Sequence, residues 1–250
     1  MMLSVVIIAK NAQDDIADAI ESVRQLANEI IVVENGSTDR TVEVAKYSKA
    51  EVVVAKNKDF SQLRNLGLKE ASGDWVFYID TDERATDELV ASIKYQISAT
   101  NQNFVAFKVA RKNFYLGNHA WPTIEKMERL FKKSSLTGWH GQLHESPNFT
   151  GEVGKLDGFL LHYTHKNLTV MLAKTIEWSG IEAELRYKAG HPQMTWWRFF
   201  RVMASAFYDS YIKQEGWKVG VAGLIESIYQ SFSMFVTYAR LWEMQNEKDF

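Results

Sequence analysis

The chain contains no cysteine in its 250 residues. Disulfide scaffolds, thiol nucleophiles, Cys-type zinc sites and iron–sulfur clusters are therefore excluded, and any metal must sit on oxygen or imidazole. Neither sign of charge is in excess: 29 Lys plus Arg face 31 Asp plus Glu, a net charge of −2. No global field draws nucleic acid, and no nucleic-acid partner is expected. Neither Gly-x-Gly-x-x-Gly after the first apolar run nor Gly-x-x-x-x-Gly-Lys-Ser/Thr anywhere is present, so the dinucleotide fingerprint and the P-loop cradle are both missing. Long uncharged runs are lacking too. The longest in the C-terminal helical pattern, Ser227 to Ala239, has 13 residues against the roughly 18 that suggest a bilayer span, so no transmembrane helix is expected. The first ten residues carry neither a basic lead nor a cleavage site; they read as a buried strand, and the protein is expected to be cytoplasmic.

What is present is ordinary globular composition, 46% hydrophobic and 24% charged, in a length that suits one α/β domain with a helical appendage. Short apolar runs at 3–9, 29–34, 51–55 and 75–79 alternate with helical patterns at 14–26, 41–49 and 61–71. That alternation predicts a Rossmann-like, mostly parallel sheet flanked by helices. A helix capped by Thr86 and a strand from Phe104 to Arg111 follow. The glycine-rich stretch after residue 111 predicts short strands and loops, and the pattern becomes helical from Asn167 onward.

Three junctions carry candidate chemistry. An apolar strand ends in Asp80-Thr81-Asp82-Glu83, at the sheet edge where α/β proteins bind ligands. Clustered carboxylates suit a divalent cation bridging to a diphosphate; the alternative is a solvated acidic turn. Glu34-Asn35-Gly36-Ser37-Thr38-Asp39 ends the second strand, as a ligand loop or as a plain strand–turn–helix junction in which Asp39 caps the next helix. Arg64 sits near a helix start, where the helix dipole disfavours a cation unless an anion is close; alternatively it is a surface arginine.

Taken in order, Ile8-Ala9-Lys10-Asn11, Glu34 to Thr41, Gln62-Leu63-Arg64-Asn65 and Asp80 to Glu83 resemble the family 2 glycosyltransferases of the GT-A fold. The chain is most similar to the small lipopolysaccharide-core β-glucosyltransferase type. The resemblance covers roughly residues 3 to 165 and implies a catalytic domain over 1–165 with a helical extension over 166–250. It implies that Ala9, Asn11, Glu34, Asn35, Ser37, Asp39, Arg64, Asp80 and Thr81 bind a nucleoside-diphosphate sugar, with UDP as the expected nucleotide. Glu34 stands where the family usually has aspartate, which displaces its carboxylate by about one bond length. Asp82, joined by His162, is implied to hold Mn²⁺ or Mg²⁺, and Glu145 in His140-Gly141-Gln142-Leu143-His144-Glu145 to act as general base. Read from the residues alone, Glu145 is equally a surface loop residue and His162 a structural histidine.

The implied reaction is inverting transfer of the sugar to a hydroxyl of a lipopolysaccharide-type or other cell-envelope glycan. A polyprenyl phosphate acceptor and a non-catalytic nucleotide-sugar or glycan binding module are the alternatives. Seven basic residues between Phe104 and Lys133 against two glutamates suit an anionic acceptor or membrane surface, or simply a solvated strand face. In the tail, Val221, Leu224, Ile225, Ile228, Phe232 and Phe235 form an apolar helical stripe opposite Glu226, Gln230 and Ser233. That stripe fits peripheral contact with a bilayer, a homodimer, or packing onto the catalytic domain.

Overall fold

Leu3–Ala9 forms strand β1, and all seven of its residues are buried. A strand covered on both faces belongs in the middle of a sheet, and β1 lies between β2 (Glu29–Asn35) and β4 (Trp75–Asp80), parallel to both. The computed structural model describes residues 1–56, 58–98, 103–142 and 145–246. Its eight-stranded sheet runs β3-β2-β1-β4-β7-β6-β10-β5, with β3 at Glu51–Ala55, β5 at Glu83–Ala85, β6 at Phe104–Tyr115, β7 at His119–Lys132 and β10 at Glu152–Tyr163. The first four strands in this order are all parallel; β4 with β7 and β10 with β5 pair antiparallel. A separate hairpin joins β8 (Leu136–His140) to β9 (Ser146–Phe149).

The period-two alternation of β1 sends Val5 and Ile7 into one core layer, with α1 (Ile16–Val23), α2 (Thr41–Tyr47) and α4 (Asp87–Ser98). Val6 and Ile8 point into the other, with α3 (Phe60–Glu70) and the β8 residues Leu136 and Trp139. Each fully buried aliphatic side chain contributes about 1.5–3 kcal/mol. Asp59 and Gln62 start α3 with a reciprocal capping box, and Gly67 in its later half lets the helix approach β1, since a Cβ there would lie 2.3 Å from Val6 Cγ1. Thr86 caps α4 as expected, its hydroxyl accepting from the Leu89 N–H at 3.3 Å.

Glu29, at the start of β2, ties the sheet to the turn before β4, accepting from the Ser72 N–H at 2.6 Å and from the Ser4 hydroxyl. Burial would raise its pKa, but these hydrogen bonds outweigh that and hold it below the usual carboxylate value. A depressed carboxylate stabilises the fold above its unfolded pKa of about 4.3, and the contribution fades as pH falls below it. Glu29→Gln is accordingly expected to lower unfolding stability by about 1 kcal/mol at pH 7. Urea titrations should show the gap from wild type shrinking below about pH 4; a gap that widens in acid would contradict this account.

The chain divides into two compact units, Met1–Lys112 with Glu125–His162, and Asn113–Ile124 with Tyr163–Phe250. The second contains α5 (Leu168–Lys188), α6 (Trp196–Tyr208) and α7 (Gly220–Gln245), around a small core of Ala183, Met194, Val202, Tyr238 and Leu241. Within this unit the Trp121 indole N–H donates to Gln214 Oε1 at 3.0 Å.

One sequence expectation for the tail, that no helix reaches membrane length and apolarity, is corrected. Gly216–Gln245 runs as 30 helical residues with a window of mean hydropathy 1.3, long and apolar enough to cross a membrane by length and composition. Counting only uncharged residues was too strict, because Glu226, which precedes the uncharged run, is 1% exposed and paired with His165 at 2.9 Å. A membrane helix tolerates an ionisable side chain that is paired inside its bundle. The apolar stripe of α7 also faces outward: Ile228 is 54% exposed, whereas Tyr229, Thr237 and Tyr238 are buried.

Candidate active site

The carboxyl ends of β1, β2 and β4 meet in register, Ala9 opposite Glu34 and Ile8 opposite Asp80. Glu34 and Asp80 are thus two strand spacings apart on one edge, about 10 Å. The site there has two parts.

The first part laces the loop after β1 to the loop after β2. Asn11, in the left-handed region at φ 49°, accepts from the Thr38 N–H at 2.8 Å through Oδ1, and its own N–H donates to Ser37 Oγ at 2.9 Å. Gly36 takes φ +80°, which closes the turn without a Cβ penalty. Glu34 is buried and folds back to accept from the Ser37 N–H. Asn35 clamps Lys58, donating to its carbonyl at 3.0 Å and accepting from its N–H at 3.2 Å. Asp39 accepts from the N–H of Thr41 at 3.0 Å and of Gln13 at 3.2 Å. It therefore makes a short turn within its own loop, in place of the expected helix cap. Desolvation would raise its pKa, but the Thr41 and Gln13 hydrogen bonds lower it overall.

The second part is an ion-pair chain of alternating sign. Arg64, 3% exposed, donates from Nε to Glu145 Oε1 at 2.8 Å and from Nη2 to Asp80 Oδ1 at 3.0 Å. Its guanidinium lies 4.9 Å from the Trp139 ring centroid and 5.6 Å from that of Tyr78. Arg129 Nη2 bridges Asp80 Oδ2 at 2.8 Å and Glu83 Oε1 at 3.0 Å. Arg111 continues to Glu83 Oε1 at 3.1 Å and to Glu125. Glu83 is fully buried, and its Oε2 accepts from the Asp80 N–H at 2.9 Å. Burial alone would raise the Asp80 pKa, yet the Arg129 and Arg64 guanidiniums hold it far below the usual range. The same pairing raises Arg129 against its own desolvation, through Asp80 and Glu83.

Beside this chain, His162 Nε2 lies 3.4 Å from Asp82 Oδ2. The register produces the contact, because β5 begins one residue after Asp82 and His162 of β10 pairs with Glu83. Thr81 sits between the two aspartates, its carbonyl accepting from Arg84 at 2.7 Å. Leu143 and His144 lie outside the described residues. A groove of about 500 Å³ lined by Asn65, Lys69, Thr137, Trp139 and His140 adjoins Arg64 through Trp139, but none of the site carboxylates lines it.

The structure thus brings Arg64, Asp80 and Glu145 into direct contact, pairs Asp82 with His162, and gathers Ala9, Asn11, Glu34, Asn35, Ser37 and Asp39 on the same sheet edge. The anion that relieves Arg64 near a helix start is a pair of protein carboxylates. Missing from the sequence reading were Arg129, Arg111, Glu125 and the buried role of Glu83. Its basic excess over 104–133 dissolves in part: Arg111, Arg129 and Lys108 each face a carboxylate, Lys108 reaching Glu128 at 3.4 Å. One signal was available, since strand alternation puts Arg129 in phase with the core residue Phe131, where a lone cation would be costly. Asn65, next to Arg64 on α3, has a structural role. Its amide fixes α3 to β8, accepting from the Trp139 N–H at 2.8 Å and donating to its carbonyl at 2.9 Å.

An α/β sheet edge that gathers loops, paired carboxylates and a buried guanidinium is the setting of a group-transfer enzyme. The family described as glycosyl transferase family 2 matches residues 4–152, more than half of the chain, and the chain belongs to that family; it is a glycosyltransferase. An uncharacterized glycosyltransferase of Rickettsia prowazekii (strain Madrid E) is 28% identical over 97% of this chain and 87% of its own length. The lipopolysaccharide core biosynthesis glycosyltransferase LpsC of Rhizobium meliloti (strain 1021) is 25% identical over 96% of this chain and 92% of its own. Among solved structures, glucosyl-3-phosphoglycerate synthase from Mycobacterium tuberculosis, in complex with Mn²⁺ and UDP-glucose, is 20% identical, with TM-score 0.48 over 77% of this chain and 80% of that one.

Proposed function

We propose that the chain transfers a sugar, with inversion, from a nucleoside-diphosphate sugar, a uridine one foremost, to a hydroxyl of a lipopolysaccharide-type cell-envelope glycan. The observation that carries this reading is the Glu145–Arg64–Asp80 chain beside the Asp82–His162 pair. Buried donors remain for an anion: Arg64 Nη1 and Arg129 Nε have no hydrogen-bond partner among the described residues. Diphosphate oxygens are acceptors of the matching charge. The near-full-length likeness to LpsC supports the acceptor class. Because a nucleoside-diphosphate sugar is charged and impermeant, the reaction belongs on the cytoplasmic side.

Asp82 and His162 offer one carboxylate oxygen and one imidazole nitrogen, a donor set that suits Mn²⁺ or Mg²⁺. Among the described residues no group of three or more His, Asp or Glu could hold a metal by itself. Remaining ligands would come from the donor diphosphate and water, the usual arrangement for such ions. When bound there, the cation would stabilise charge on the leaving diphosphate.

The chain's own residues do the rest. Asp80, held from both sides by Arg64 and Arg129, is a fixed acceptor for ribose hydroxyls. The interlaced loops of Asn11, Glu34, Asn35, Ser37 and Asp39 shape the nucleotide end, and Ala9 keeps the strand terminus small. Glu145 takes the acceptor proton as the new bond forms.

The test is a screen of nucleoside-diphosphate sugars for Mn²⁺-dependent release of the nucleoside diphosphate by wild type and Asp82→Asn. Wild type should turn over at least one donor, and the variant should fall by about a hundredfold or more, equivalent to several kcal/mol. No turnover by folded wild type with any donor, or a variant with unaltered metal dependence, would sink the proposal.

A further inference from the structure

Although the second unit has a small apolar core, the exposed face of α7 is the wrong one for water. A surface helix normally buries its apolar stripe and exposes its polar face. In α7 every exposed side chain between Val221 and Trp242 is apolar, including Val221 at 74% and Phe232 at 42%, whereas Glu226 and Ser227 are buried. Polar groups pair inside the unit: Thr175 Oγ1 with Tyr229 OH at 2.6 Å, Ser210 Oγ with Ser227 Oγ at 2.9 Å, and His165, in the loop before α5, with Glu226. Gly223 lets the short turn at Gly216–Val219 fold against the start of α7, since a Cβ there would lie 1.8 Å from the Gly216 carbonyl oxygen. Hydrogen-bonded polar and small residues inside, with apolar side chains outside, is packing suited to lipid. Only 28% of the apolar α7 window is buried, so this is not the core helix of a water-soluble bundle.

Charge selects the occupant. From Ala189 to Tyr208 the only charged residues are Arg198 and Arg201, and their guanidiniums lie 5.0 and 5.7 Å from the Trp197 ring centroid. Lys213 and Lys218 lie over Tyr208 and Trp217, at 5.8 and 5.4 Å, but each is also paired with a carboxylate, Asp209 and Glu215, at 2.7 Å, which leaves Arg198 and Arg201 as the cations of this face. Exposed aromatic rings carrying cations suit a headgroup layer, where the ring sits at the boundary and the cation meets phosphate. A two-fold contact centred on Trp197 would instead set the Arg198 and Arg201 charges against their own copies. The outer face of α5 is mixed, exposing Glu177, Glu184 and Lys188 beside Ile176, Trp178 and Tyr187, so the all-apolar exposed face is that of α7.

We propose that the second unit seats in the surface of an anionic lipid bilayer, with the exposed faces of α6 and α7 among the acyl chains and Arg198 and Arg201 at the phosphates. This inference stands apart from the assignment of donor and acceptor.

The experiment is flotation of the full chain with vesicles of phosphatidylcholine alone or mixed with phosphatidylglycerol. The chain should float with the anionic vesicles. The pair Ile228→Glu, Phe232→Glu should reduce partitioning about tenfold or more while circular dichroism stays unchanged. Arg198→Gln and Arg201→Gln should each weaken anionic-vesicle binding by about fivefold and leave binding to neutral vesicles unaltered. Two results would overturn the proposal. One is a chain that stays below the vesicles as a discrete dimer which the glutamate pair dissociates, placing a second copy on the face. The other is equal flotation of parent and glutamate variant.

Discussion

Glu145→Gln is expected to release product about 10² to 10⁴ times more slowly than wild type at saturating donor and acceptor, the usual contribution of a positioned general base. Arg64 engages Oε1 of Glu145 at 2.8 Å, which orients the carboxylate and leaves Oε2 for the acceptor hydroxyl. Glutamine keeps the shape and can still occupy the position, but cannot take a proton. Removing the negative charge also leaves more of the Arg64 positive charge uncompensated for an anionic ligand, although the glutamine carbonyl oxygen can still accept from Nε–H. Nucleoside-diphosphate affinity should therefore stay level or rise while kcat collapses, a split that stopped-flow turnover and calorimetric titration can measure on the same preparation. A variant that loses affinity and kcat together, in proportion to a lowered melting temperature, would reduce Glu145 to a structural partner of Arg64.

The second large effect concerns stability. Arg129 is nearly buried, and one of its nitrogens serves both Asp80 and Glu83. Arg129→Leu leaves two carboxylates in a low-dielectric site with less positive charge, and removing one member of a buried ion pair typically costs about 3–5 kcal/mol. Urea unfolding at pH 7 should read that loss. Adding Glu83→Gln to Arg129→Leu should recover part of it, because one of the two stranded charges is then gone. A single-variant loss below about 1 kcal/mol would mean that Arg64 and Arg111 alone hold the acids, and the chain of alternating charges would lose its central member.

The boundaries of the first four strands were legible because each run of β-branched and aromatic residues is short, apolar and closed by a polar or glycine-containing turn. β1 and β3 occupy the expected residues, and β2 and β4 extend one residue further, to Asn35 and Asp80. The acidic junction at Asp80 to Glu83 was legible for the same reason: a strand that stops in carboxylates marks a sheet edge without any tertiary information. The partners of those carboxylates were not. Arg129 and Glu145 lie 49 and 65 residues beyond Asp80 in sequence, and the antiparallel return of β7 beside β4 brings Arg129 to it. Periodicity reports which face a residue takes within its own element. It carries no record of the element that will lie opposite.

The tail shows the same division. The order of its side chains determined that α7 has one apolar and one polar face, since helical periodicity is a local property of 3.6 residues per turn. Which face turns inward depended on the partners that the fold supplied, Thr175, His165 and Ser210 each reaching a polar group on α7. By itself, then, the sequence determined the parallel half of the sheet, the carboxylate-tipped strand and the amphipathic helix. The tertiary structure alone decided that Arg64 meets Glu145 and Asp80, that Arg129 joins them, and that the apolar stripe of α7 faces outward. Local backbone preference and side-chain spacing are written residue by residue, whereas the pairing of charges and the choice of a buried face are energies of contact between distant segments.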